Sequence, residues 1–174
     1  MPFDAAGNAI RIAVISDTHV PRFAHRLPDA LARVAAERPG AIVHCGDFTS
    51  LDIVAPLERI APFYGVAGNN DGPEIVARFG RRQVLAFAGW RFGVVHGDGE
   101  RGSTLGRARG AFRTEPVDVV LFGHSHVPYL ERHDGALVLN PGSPTDKRRQ
   151  PHFSFAILDV APEGIAPRLV SFGP

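Results

Sequence analysis

The chain has 174 residues, 44% of them hydrophobic and 21% charged, the balance of a folded globular protein and not of a disordered one. That length suits one domain over residues 1–174, able to bury about 70% of its unfolded surface without staples. Nineteen basic and eighteen acidic residues leave a formal charge of +1, which gives no bulk electrostatic reason to bind nucleic acid or an anionic membrane. Residues 11–16 are a short, β-branched apolar run that reads as a buried strand. Leu27, Ala30, Leu31, Val34 and Ala35 fall at helical spacing, with Pro28 near the start and Pro39-Gly40 as the stop. Residues 41–45 form a second strand, 51–59 a helix containing Pro56, and 63–67 a third strand. Alternating strand and helix is the pattern of a mostly parallel, buried sheet.

The middle and end of the chain change character. Residues 83–88 and 90–96 read as adjacent strands around Ala88-Gly89, and 102–112 as an Arg-rich helix. A strand at 117–122 follows, then a pair at 127–132 and 136–140 joined across Asp134-Gly135, a hairpin signal. Residues 153–160 and 165–172 form a last pair. Cys45 is the single cysteine, so neither an intrachain disulfide nor a thiolate metal cluster is available. No apolar run approaches the roughly 18 residues that cross a bilayer, and residues 1–8 lack the segments of a signal peptide. A cytoplasmic protein with no membrane partner is expected.

The polar residues are placed unevenly. Five predicted strands run directly into polar clusters: Asp17-Thr18-His19, Gly46-Asp47, Gly68-Asn69-Asn70-Asp71, His96-Gly97-Asp98 and Gly123-His124-Ser125-His126. In open α/β sheets, ligands bind beyond the carboxyl ends of the strands, so these clusters are expected to share one crevice. Asp and neutral His are common ligands of Zn, Mn and Fe. Asp17 and His19 are two apart, as are His124 and His126, and in extended backbone such pairs point to one side. Glycine before Asp47, Asn69 and His124 would let the chain bend and approach closely. Seven donors, Asp17, His19, Asp47, Asn69, His96, His124 and His126, are too many for one tetrahedral ion. They suit two ions about 3.5–4 Å apart sharing a carboxylate.

In this order the motifs Asp-x-His, Gly-Asp, Gly-Asn-x-Asp, His-Gly and Gly-His-x-His resemble the calcineurin-like metallophosphoesterase superfamily. The short chain and Asn140-Pro141-Gly142-Ser143 resemble its compact bacterial and archaeal phosphodiesterase branch. The resemblance implies an α/β, four-layer α-β-β-α sandwich of two mixed sheets flanked by helices. It implies two divalent ions, with Mn expected and Fe, Zn, Co or Ni compatible. Asp17, His19 and His126 would hold the first ion, Asn69, His96 and His124 the second, and Asp47 would bridge them. The implied activity is hydrolysis of a small phosphate ester, by branch a phosphodiester, by a metal-activated water. Asn70 and Asp71 are the catalytic candidates. Many members carry His where Asn70 stands, and Asn can donate a hydrogen bond but cannot deliver a proton. Phe48 to Asp52 lacks the Arg of protein phosphatases, which argues against a phosphoprotein substrate.

Two rival functions accompany this reading. One is a metal-binding protein-interaction scaffold like the retromer subunit of the superfamily; the other is a nucleotide-specific phosphohydrolase, for which no separate base-recognition motif is seen. Self-association into a homo-oligomer is compatible with the sequence. His44 is expected as a packed or supporting residue. The resemblance also implies that the polar loop 140–147 lies near the active face, where Ser143 or Thr145 would contact substrate. Arg101, Arg107, Arg109 and Arg113, with Lys147-Arg148-Arg149, read as a solvated face or as phosphate capture at the cleft rim.

Overall fold

The computed structural model describes residues 7–174. Its strands are β1 (Ile10–Ile15), β2 (Ala41–His44), β3 (Phe63–Gly65), β4 (Arg82–Phe87), β5 (Trp90–Val95), β6 (Val119–Leu121), β7 (Tyr129–His133), β8 (Ala136–Asn140), β9 (Phe153–Ala161) and β10 (Gly164–Phe172). Its helices are α1 (Leu27–Ala36), α2 (Val54–Glu58), α3 (Pro73–Phe79) and α4 (Thr104–Gly110). One sheet has the order β10-β9-β1-β2-β3 and the other β4-β5-β6-β8-β7. Each is mixed: β1, β2 and β3 run parallel, as do β5, β6 and β8, while β9–β10, β4 and β7 pair antiparallel.

The alternation of side chains along β1 explains the layers. Ile12 and Val14 point between the sheets, into a core shared with Val43, Phe92, Val94, Leu121, Leu139 and Leu158. Ala13 and Ile15 point the other way, against Val34, Ile53, Leu57 and Ile75 from the α1, α2 and α3 side. On the far face of the second sheet, Ala108 and Phe112 at α4 pack on Val95, Val120 and Val138. The expected α-β-β-α sandwich is therefore the fold. A strand covered on both faces reads as a continuous apolar run because neither face meets water. Fully burying each such side chain stabilises by about 1.5–3 kcal/mol.

Some elements differ from expectation. The helix expected at 51–59 is a 3-10 turn, Leu51–Ile53, followed by α2. The Ser50 hydroxyl accepts from Asp52 N–H at its start, and Pro56 lies in the first turn of α2, where it displaces no helical hydrogen bond. The helix α3 was not expected: its seven residues are too few for a clear period, although Pro73 opens it and Gly80, at φ 70°, closes it. No helix among the described residues is long and apolar enough to cross a membrane.

What the topology does for function is to aim strands. The carboxyl ends of β1, β2 and β3 in one sheet, and of β5 and β6 in the other, open onto the same edge of the sandwich. The loops there are stitched by backbone bonds from Asp17 N–H to Gly46 O, His19 N–H to Asp47 O, and Gly123 N–H to His96 O.

Candidate metal centre

The loops beyond the strands are held in a conformation that side chains ordinarily avoid. Asp17 (φ 55°), His19 (46°), Asp47 (59°), His124 (67°) and His126 (60°) all lie in the left-handed region. Such residues cost roughly 1–3 kcal/mol each and persist only where surroundings over-determine them. This corrects the sequence expectation of an extended backbone for the two i, i+2 pairs. Their side chains converge because each residue is turned, not because the strand continues. The glycines divide the two expected roles: Gly46 takes the turn at φ 101°, whereas Gly68 and Gly123 permit close approach. A Cβ on Gly68 would sit 2.2 Å from Asp47 Oδ1, and one on Gly123 would sit 2.0 Å from Ser16 Oγ.

The turned residues gather into one cradle. Asp17 Oδ1 lies 3.8 Å from His19 Nε2, 3.4 Å from His126 Nε2 and 3.7 Å from His96 Nε2. Asp47 Oδ2 lies 3.6 Å from His19 Nε2 and 3.2 Å from His96 Nε2. Two overlapping donor groups result, Asp17-His19-His126 and Asp17-Asp47-His96. Asn69 and His124 meet on the exposed side, with Asn69 Oδ1 3.2 Å from His124 Nδ1. The His124 ring stands edge-on to His96, with 5.2 Å between ring centres. Five of the seven expected donors, Asp17, His19, Asp47, His96 and His126, thus fall in these two groups, with Asn69 and His124 paired beside His96 at the exposed edge.

Buried polar atoms normally find partners. Asp17 Oδ1 and His96 Nε2 are buried and, among the described residues, have none. His96 is close to Asp47 but is not aligned for a hydrogen bond. The opposite edge of that ring is satisfied: His96 Nδ1 is 2.7 Å from Cys45 O, and His126 Nδ1 is 2.6 Å from Asp146 O. A carbonyl only accepts, so in the neutral imidazole the proton sits on Nδ1 and Nε2 is left as the electron pair that can face a cation, the usual arrangement of a metal-binding His. The set therefore fits divalent cations.

The electrostatics agree with a site built for positive charge. Burial opposes ionisation of Asp17, but His126 and His96 outweigh it and hold the carboxyl below its ordinary range. Asp47 is likewise lowered against its burial, by His96 and by Asn70. Burial would lower His96, yet Asp47 and Asp17 raise it to about 9. His126 is raised mainly by Asp17 against its burial, whereas burial lowers His19 and His124.

The catalytic candidates and neighbours are placed as follows. Asn70 is exposed, but its side chain is committed: Nδ2 donates to Asp47 Oδ2 at 2.8 Å, and its N–H donates to Asp47 Oδ1 at 2.9 Å. Asp71 is buried, its carboxylate facing backbone N–H groups, and burial raises its pKa. His44 is fully buried beneath the cradle; Gly46 N–H donates to its Nδ1, so its Nε2 carries the proton toward Thr18 Oγ1 at 3.0 Å. Ser143 and Thr145 do not face substrate, contrary to expectation. Both are buried, Ser143 Oγ donating to Asp17 O and Thr145 Oγ1 to Thr18 O. With Asn140 Nδ2 donating to Gly123 O and Asp146 O beneath His126, the loop 140–146 buckles the tips of β1 and β6 together. The family resemblance pointed this loop toward the site; its inward direction required the fold. Arg107 is also structural, its guanidinium donating to Gly97 O, Arg101 O and Gly102 O. Arg148 lies near enough to oppose charging of His126.

Comparison with known proteins gives a consistent picture. Residues 10–163 match the family described as the calcineurin-like phosphoesterase superfamily domain. A probable metallophosphoesterase from Methanothermobacter thermautotrophicus is 38% identical over 146 residues, covering 79% of this chain and 78% of that protein. The solved structure of an archaeal phosphodiesterase superposes with a TM-score of 0.76 at 25% identity, covering 93% of this chain and 99% of the other. Vps29 from Chaetomium thermophilum shares the fold, with a TM-score of 0.76 at 20% identity over 93% of this chain and 97% of its own.

Proposed function

The chain belongs to the calcineurin-like phosphoesterase superfamily, and from that premise we propose that it hydrolyses small phosphodiesters with the help of two divalent ions, Mn being the first choice. The observation that carries this reading is the pair of buried, unpartnered donor atoms, Asp17 Oδ1 and His96 Nε2, within two overlapping groups of metal-ligating side chains. Asp17, His19 and His126 would hold one ion and Asn69, His96 and His124 the other, with Asp47 as the carboxylate available to both. When bound, such ions supply an activated water at neutral pH and neutralise charge on the phosphoryl oxygens.

The protein's own groups do the rest. Asn70 fixes both oxygens of Asp47 through two hydrogen bonds, which keeps the shared carboxylate from rotating. Cys45 O and Asp146 O hold the His96 and His126 rings in one tautomer. Asn70 has no proton to give, so a leaving group departs at the rate its own basicity allows. Aryl esters are therefore turned over faster than alkyl esters. A phosphodiester substrate draws support from the archaeal phosphodiesterase at 25% identity; a scaffold role would not need seven retained ligands.

The test is hydrolysis of bis(p-nitrophenyl) phosphate after chelation and after Mn2+ addition. Mn2+ restores activity, and Asp47→Ala lowers kcat/KM by about 10³-fold, the scale of losing one preorganised electrostatic group. Tight metal uptake with no hydrolysis of any ester would favour the scaffold; metal-independent hydrolysis would remove the proposed mechanism.

A further inference from the structure

Asp71 is the acidic residue of the β3 tip that no ligand set uses. Its carboxylate receives three backbone N–H groups: Oδ2 accepts from Asp47 at 2.8 Å and from Gly68 at 2.7 Å, and Oδ1 accepts from Thr49 at 2.7 Å. Two of these three donors, Asp47 (φ 59°) and Thr49 (φ 65°), are non-glycine residues in the left-handed region. The third, Gly68, is the residue at which a Cβ would strike Asp47 Oδ1. Thr49 is held a second time, its hydroxyl donating to Val20 O. The side chain of Asp71 thus ties the loop after β2 to the loop after β3, and it does so at the peptide N–H of Asp47 itself.

We infer that Asp71 is a positioning residue, whose carboxylate sets the direction of the Asp47 side chain by clamping the backbone of Asp47, Thr49 and Gly68, and which touches neither ion nor substrate. The inference rests on the metal reading above. An ionised carboxylate presents acceptors at both oxygens, so all three N–H groups are answered at once. An amide presents one acceptor and one donor. In Asp71→Asn the oxygen keeps the two N–H groups of Asp47 and Gly68, and the NH2 is driven against Thr49 N–H. The loop then swings, and Asp47 leaves its place between the imidazoles although every ligand remains in the sequence.

The experiment uses the full chain as wild type, Asp71→Asn, Asp71→Glu and Val34→Ala, the last a core change in α1 that lowers stability away from the cradle. Mn2+ binding is measured by calorimetric titration, and amide hydrogen exchange is followed on the metal-stripped proteins. Asp71→Asn weakens Mn2+ binding about 10–100-fold, as loss of a group behind a ligand does. It also speeds exchange at Asp47, Thr49 and Gly68. Asp71→Glu, which keeps both acceptors, loses less affinity than Asp71→Asn. Val34→Ala melts earlier yet binds Mn2+ as wild type does. Mn2+ affinity in Asp71→Asn equal to wild type, or an Asp71→Glu affinity no better than that of Asp71→Asn, overturns the inference. A wild type that binds no Mn2+ defeats the metal reading instead, and the exchange data then decide the clamp alone, unchanged protection overturning it.

Discussion

The same strands obey opposite rules along their length. In their middles, Ile12, Val14, Val43, Phe92 and Leu121 are fully buried and apolar, and no residue there needs a particular partner beyond a well-shaped neighbour. Between one and five residues past their carboxyl ends, Asp17, Asp47, His96 and His126 are equally buried, yet they are charged or polar, crowded and mostly in a left-handed backbone. The first region gains free energy from burial; the second loses it, since desolvated like groups and turned residues both cost. Stability resides in the sandwich and chemistry at its rim, so a change in one should leave the other measurably intact.

The strongest break of that comparison is Phe92→Ala. Phe92 is fully buried between the sheets, so its truncation costs about 3–5 kcal/mol. For a domain of this size that lowers the melting temperature by on the order of 10 °C. Mn2+ affinity and kcat of the folded fraction stay as in wild type, whereas Asp47→Ala shows the reverse pattern. Calorimetry with metal titration on the two variants measures both halves.

A smaller effect sharpens the rim. Adding Mn2+ at 100 times its dissociation constant stabilises a protein that binds it only when folded by about 2.7 kcal/mol. Wild type therefore melts several degrees higher with Mn2+ than with chelator. Asp47→Ala shows little of this increment and Phe92→Ala shows all of it. Equal increments in both variants would mean that the metal is held elsewhere.

The smallest effect tests the boundary between the regions. Burial lowers His44 to about 3, so folded His44 stays neutral while the unfolded residue, with its ordinary pKa near 6.5, takes up a proton on acidification. The depressed value gives stability that is present above pH 6.5 and lost as pH falls toward 3. Between pH 7 and pH 5 the loss is on the order of 2 kcal/mol. Urea midpoints at the two pH values measure it, and His44→Gln is expected to remove that part of the slope.

Sequence and structure divide along the same line. The motif order, the seven donors and the strand-tip placement were legible, because a β-branched run ending in Gly, Asp, Asn and His is a local signal. The alternation of strands and helices likewise disclosed a mostly parallel, buried sheet, and the family resemblance implied the sandwich. The helix α3 was not legible, being too short for its period to show. Ser143 and Thr145 were misplaced for a different reason: a hydroxyl in a polar loop carries no mark of which way it faces. Only their bonds to Asp17 O and Thr18 O, residues more than a hundred positions away, show that they brace the cradle. The role of Asp71 was hidden likewise, since its three partners are backbone N–H groups and every residue but proline has one.

By itself the sequence determined which atoms are present to bind and which runs are apolar enough to be buried, because those are properties of residue types and of their spacing. Tertiary structure alone decided which donors face one another, which peptides are turned left-handed and which polar groups are left without a partner. Those are outcomes of two sheets meeting at one edge, and distances across that edge belong to no stretch of the chain.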